Sequence, residues 1–212
     1  MSTGPPLTTR QAEIADAALR IIGSRGIAAL TTKVLAEELG VSQGAPFRHF
    51  ASLDDMLDGV SVRVEEVILA TFPDPDLPPL DRIRALFSAR VEAVGRKAGI
   101  ARLMFSEQFA MALPAQAGRR LRRLIAATRS FLQEALEAAV ALGQVRSDVE
   151  PAQLLPILFG TLQNLVFAQA LGKSHIGVNA DSSCDALFLL LRPVPLRAAG
   201  ASKPHPSSKE KP

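Results

Sequence analysis

The segment from Thr31 to Phe50 gathers the side chains best suited to a charged, hydrogen-bonding partner. Thr31, Thr32 and Lys33 fall where a helix would start, and free backbone amides beside a cation suit a phosphate. Ser42, Gln43 and Gly44 open a second element whose first residues would reach base edges, and a glutamine can pair with adenine through two hydrogen bonds. Gly44 lets the backbone approach closely, Pro46 offers its ring to a thymine methyl, and Arg48 suits guanine or a phosphate. His49 stands beside aromatic residues and admits two readings, a phosphate contact or a neutral ring that is packed or faces solvent. Metal ligation is not expected of it, because His175 and His205 have no ligand-like spacing.

To work together these residues need two short helices crossing at a fixed angle. Ala36 is small where the helices must cross, Gly40 supplies the freedom of the turn, and Leu35, Leu39, Val41 and Phe50 can fill the wedge. That is helix-turn-helix geometry, although an ordinary helical hairpin carries the same spacing. Ahead of it, Ile14, Ala18, Ile21 and Ile22 fall on one helical face, with Thr9 as cap and Gly23 and Gly26 at the end. Ser42 is expected to cap the second short helix. Ser52, with Asp54 and Asp55 in the first turn, caps a helix running to about Thr71.

Four prolines between Phe72 and Pro79 mark a hinge or boundary. Helices are then expected at 80–97, 99–112, 115–142, 151–172 and 182–191, punctuated by Gly99, Pro114, Gly143, Pro151 and Gly172. No segment alternates as a strand does, so the predicted fold is all-α. Residues 193–212, rich in Pro, Ser and Lys, have little to bury and read as a disordered tail.

The chain has 212 residues, 48% hydrophobic and 21% charged, which fits a folded domain with a sizeable core. Cys184 is the single cysteine, so an internal disulfide is excluded, and the N-terminal residues read as neither basic nor apolar enough for a secretory signal; a cytoplasmic location is expected. The net charge of +3 is unevenly spread: residues 1–70 hold 6 basic and 9 acidic side chains. Bulk charge therefore gives no support to nucleic-acid binding by the N-terminal part, and that reading rests on the local arrangement alone.

Thr32 to Phe50, followed by Ser52-Leu53-Asp54-Asp55-Met56-Leu57 and preceded by the amphipathic helix, resembles the N-terminal domain of TetR-type (TetR/AcrR) transcriptional regulators. The resemblance covers residues 8–60. It implies a DNA-binding domain with its connecting helix at 1–70 and a helical effector-binding and dimerisation domain at 71–192. It also implies a two-fold homodimer reading a pseudo-palindrome in double-stranded DNA, as a repressor released by a small-molecule effector. Two positions depart from the family pattern. Members commonly have Tyr where this chain has Phe47 and Lys where it has Leu53, each reaching a phosphate; losing those contacts implies a shallower salt dependence.

In the C-terminal part Phe87, Met104, Phe105, Phe109, Met111, Phe131, Phe159 and Phe167 are the large side chains. Residues of this kind at helical spacing are ordinarily core. The resemblance implies that a subset lines a pocket, for which Phe87, Met104, Phe105, Gln108, Phe109, Phe131, Gln163 and Phe167 are the candidates. With no Trp or Tyr in the chain, a largely apolar effector is expected. Residues 154–171 approach the length of a membrane span, but Gln163, Asn164, Gln169 and Pro156 interrupt them, which favours a buried or intersubunit helix over membrane insertion. Arg119, Arg120, Arg122 and Arg123 form either a nucleic-acid patch or a solvated helix surface, and their spread around the helix favours the latter. No phosphate loop, nucleophile elbow or zinc-protease motif is present, so neither an enzyme nor a cofactor is indicated. The alternative function is a helical ligand- or partner-binding protein of the same fold without specific operator recognition.

Overall fold

Thr8, not Thr9, begins the first helix. Its hydroxyl accepts from the Gln11 amide at 3.3 Å while the Gln11 side chain accepts from the Thr8 amide at 3.0 Å, a reciprocal cap that satisfies two otherwise orphaned donors. The computed structural model describes residues 6–105, 113–170, 172 and 180–193. In chain order its α-helices are α1 (Thr9–Arg25), α2 (Thr32–Leu39), α3 (Leu53–Leu69), α4 (Pro79–Gly95), α5 (Ala98–Phe105), α6 (Ala115–Ala141), α7 (Pro151–Ala170) and α8 (Ala180–Leu190). The fold is all-α, as expected, and the long helices lie within a few residues of their predicted bounds. The remainder of the expected 99–112 helix and the tail beyond Pro193 lie outside the described residues.

The expected face of α1 is inward: Ile14, Ala18, Ile21 and Ile22 are buried, packed with Leu35, Phe50, Met56 and Val60. Arg63 of α3 binds Asp16 of α1 through two hydrogen bonds of 3.0 and 3.1 Å, fixing the crossing of these helices. Gly23 and Gly26 bracket the end of α1, as expected: the helix runs to Arg25 and stops at Gly26, where φ is +85°. Gly23 is in addition a contact point: a Cβ there would lie 2.7 Å from the Gly99 nitrogen, and one on Gly99 would lie 2.0 Å from the Leu19 carbonyl oxygen. α1 therefore meets the start of α5 backbone to backbone.

Helices α4, α6 and α7 pack on one another, and α8 lies against α4 and α7. The buried cluster runs without a break from Ile14 to Leu191, across the proline-rich segment. The second tie between the N-terminal helices and this bundle is polar. Arg120 of α6, 1% exposed, donates to Asp58 Oδ1 at 2.6 Å and to the Ser61 hydroxyl, and its Nε lies 3.6 Å from Glu65, itself buried. Asp58, Ser61 and Glu65 fall at i, i+3 and i+7, one face of α3. The arginine cluster is thus not uniformly solvated: Arg119, Arg122 and Arg123 are exposed, and Arg120 points inward because it shares a face with Ala117, Leu121 and Leu124.

Removing one member of a buried charge network strands its partners, a loss of about 3–5 kcal/mol. Arg120→Ala is expected to lower unfolding stability by that amount in urea titration, whereas Arg119→Ala should stay within about 0.5 kcal/mol of the parent.

Candidate functional site

At the start of α2 the Thr31 hydroxyl accepts from the Val34 amide at 3.3 Å, so Thr31 is spent as a cap, while Lys33 beside it is exposed and Thr32 half-buried. The helix ends at Gly40, whose φ of +66° is a conformation that only glycine adopts without strain. The Val41 amide then reaches back to the Ala36 carbonyl at 3.0 Å and closes the turn.

The second element departs from expectation. Residues 42–49 are not an α-helix capped by Ser42 but a run of tight turns, with Ala45 N to Ser42 O at 3.0 Å, Arg48 N to Ala45 O at 3.2 Å and His49 N to Pro46 O at 3.1 Å. Only Pro46–Arg48 forms a regular turn of 3-10 helix. Pro46 is the physical reason, since it has no amide for the Ser42 carbonyl and its ring crowds that same oxygen in an α-helix. Gly44 adds the entropic penalty of a residue with no side chain.

The segment is nevertheless firmly seated. Phe50 is buried, Phe47 is half-buried against the core, and the His49 carbonyl accepts from Gln11 Nε2 of α1 at 3.0 Å. Pro46 is also buried, which corrects the expectation that its ring meets a thymine methyl: it forms part of the footing. Above that footing Ser42, Gln43, Gly44, Arg48 and His49 are exposed, so the packed reading of His49 does not hold. A Cβ on Gly44 would meet nothing within 4 Å, so the packing of the protomer itself does not demand a glycine there. Seven of the ten expected residues, Thr31, Lys33, Ser42, Gln43, Gly44, Arg48 and His49, are exposed along this segment.

A second site lies inside the bundle, where α3, α4, α5, α6 and α7 converge on a cavity of about 20 Å³, room for roughly one water. Met104 and Gln163, two of the candidates, line it together with Phe159. Phe87 does not; it lines a separate cleft of about 450 Å³ between α4 and α8, edge-on against Phe188 with centroids 5.8 Å apart. Phe131 is likewise taken up by an edge contact with Phe72 at 5.4 Å, and Phe167 is half-buried elsewhere on α7. The Phe105 side chain, Gln108 and Phe109 lie outside the described residues.

Arg90 and Thr128 are the polar lining residues that the sequence reading missed, beside aliphatic ones such as Ile68 and Val94. Arg90 is 6% exposed, and burial pushes its guanidinium down to about 10, leaving it a cation at neutral pH. A signal was present: Ile83, Leu86, Phe87, Arg90 and Val94 share the buried face of α4, and Arg90 is its one charge.

Residues 14–60 match the family described as bacterial regulatory proteins, tetR family. The nucleoid occlusion factor SlmA of Vibrio vulnificus is 30% identical over 105 residues, 48% of this chain and 54% of that protein. The chain spans about half the length of the curated relatives it matches. Among solved structures, the ketosteroid transcriptional regulator KstR2 of Mycobacterium tuberculosis superposes with a TM-score of 0.71 at 18% identity, covering 88% of this chain and 97% of that one. AibR, in complex with isovaleryl coenzyme A and operator DNA, gives 0.68 at 19% identity, covering 86% and 97%. These identities speak to the fold alone. Joined to the match over the helix-turn-helix segment, they show a TetR-type N-terminal segment on a chain that shares the fold of these regulators.

Proposed function

We propose that the chain is a DNA-binding transcriptional regulator, a homodimeric repressor released from a pseudo-palindromic operator by a small molecule. The observation that carries this reading is the exposure of Gln43, Gly44, Arg48 and His49 on a turn anchored from below by Pro46, Phe47 and Phe50. Among the described residues the side chains of Gln43, Arg48 and His49 make no hydrogen bond or ion pair within the protomer, which leaves them available to a duplex. Gln43 reads adenine, Arg48 meets guanine or phosphate, and Lys33 at the α2 start meets the backbone. The operator complex named for AibR supports the same use of a shared fold.

Dimerisation is supported by apolar side chains with no cover. Ile157 of α7 and Leu189 and Leu190 of α8 are 56%, 60% and 68% exposed. α7 is long and apolar enough to cross a membrane by length and composition, with one third of its apolar window buried. A second copy of the chain covers such a surface and sets two recognition segments on one face of the DNA. Coupling follows from where the cavity lies: Ile68 belongs to α3, which Arg120 ties to α6, and Met104 to α5, which meets α1 at Gly23. A ligand that fits one arrangement of these helices better than the other shifts the spacing of the recognition segments.

Gel-shift titration on the promoter beside the chain's own gene tests the reading; equal affinity for any duplex, or none at low salt, would point to a ligand- or partner-binding protein instead. Gln43→Ala is expected to relax discrimination at one base pair by about 1–3 kcal/mol. Lys33→Ala should weaken binding to all sequences and reduce the salt slope by about 0.9. Paired Leu189→Asp and Leu190→Asp changes are expected to yield a folded monomer by sedimentation and to abolish preference for the two-half-site operator.

A further inference from the structure

The cavity holds a charge that the protein does not neutralise. Arg90 donates from Nε to the Thr71 hydroxyl at 2.6 Å and from Nη1 to the Thr128 hydroxyl at 3.4 Å. Both hydroxyls give their own protons to backbone carbonyls, Thr71 to Ile68 at 2.6 Å and Thr128 to Leu124 at 2.9 Å, so each turns a lone pair to the guanidinium and holds it in place. Nη2 is buried and has no hydrogen-bond partner. The ring of Phe72 lies 5.4 Å from the guanidinium carbon, and no carboxylate pairs with Arg90 among the described residues.

Arg120 shows what this fold does with a buried arginine whose role is structural: it is met by Asp58, Ser61 and Glu65. An arginine buried as deeply, with two neutral partners and a free pair of N–H donors, lacks its counter-ion. The rest of the wall is apolar, from Val94, Met104, Ile125, Phe159, Leu162 and Val166. An inorganic anion would satisfy the charge and leave that wall unused.

We propose that the effector is an organic acid, a small apolar body carrying a carboxylate that pairs with Arg90 through Nη2, and that it enters by parting the helices around the present cavity. The inference rests on reading this cavity as the effector site, and it adds an acidic group to the largely apolar effector expected from the sequence. A carboxylate on a guanidinium forms a charge-assisted hydrogen bond that an alcohol of equal length cannot.

The test is thermal unfolding of the full chain without DNA, followed by circular dichroism, in the presence of straight-chain carboxylates from butanoate to decanoate. The matched primary alcohols and sodium sulfate at equal ionic strength serve as controls. At least one acid should raise the Tm, and its alcohol should need about ten to a hundred times the concentration for the same shift. Sulfate should give no comparable rise. Arg90→Met should remove the preference for acid over alcohol, and Arg90→Lys should retain part of it. No shift with any acid, an equal shift with the alcohol or sulfate, or an undiminished acid preference in Arg90→Met would each overturn the proposal. Should Arg90→Met not fold, the comparison in the parent chain still decides. Because no DNA is present, failure here leaves the operator reading intact, and failure of the gel shift leaves this result standing.

Discussion

A cation withdrawn from water is costly unless counter-charges are held close to it, and the arrangement of this protein depends on a place where they are. Arg120 reaches from α6 into the flank of α3 and engages Asp58, Ser61 and Glu65 at successive helical turns. The geometry is demanding, because any rotation of α3 about its axis withdraws at least one of the three. The helix that leads out of the recognition unit is thereby locked in phase with the bundle. On the other side α1 and α5 interlock through Gly23 and Gly99, where the clearance admits no side chain at all. Between them these two joints leave the N-terminal unit little freedom to move except together with α3 and α5.

The cavity lies among the same helices. Its wall includes Ile68, three residues beyond Glu65 on α3, and Met104 on α5. A change in its volume is therefore a displacement of the joints, transmitted through packed side chains that have little slack. The two buried arginines divide the labour: Arg120 is met by the carboxylates of Asp58 and Glu65, whereas Arg90 is positioned by two threonines and meets no carboxylate among the described residues.

Much of this was legible in the residues. The helical periods of α1, α3, α6 and α7, the Ser52 cap and the glycine turn at Gly40 all follow from local chemistry, and the structure keeps them. Local chemistry also contained the correction at residues 42–49, because Gly44 and Pro46 argue against an α-helix even where helix-turn-helix spacing suggests one. Gly23 was different. Read alone it marks a helix end, and only the distant Gly99 shows that it is also a crossing point. The pocket residues suffered from the same blindness. Phe87 and Arg90 lie on one face of α4, and which of them meets the interior cavity rather than the α4–α8 cleft is decided by whether α6 or α8 packs opposite. Choosing aromatic residues favoured size, while the informative feature was a charge among apolar neighbours.

The volume of the cavity has a consequence in time as well as in space. An interior with room for about one water cannot receive a larger guest at the rate of diffusion. Entry must wait for the surrounding helices to breathe, so guests of different quality arrive at nearly the same slow pace, and how well each one fits is expressed in how long it stays.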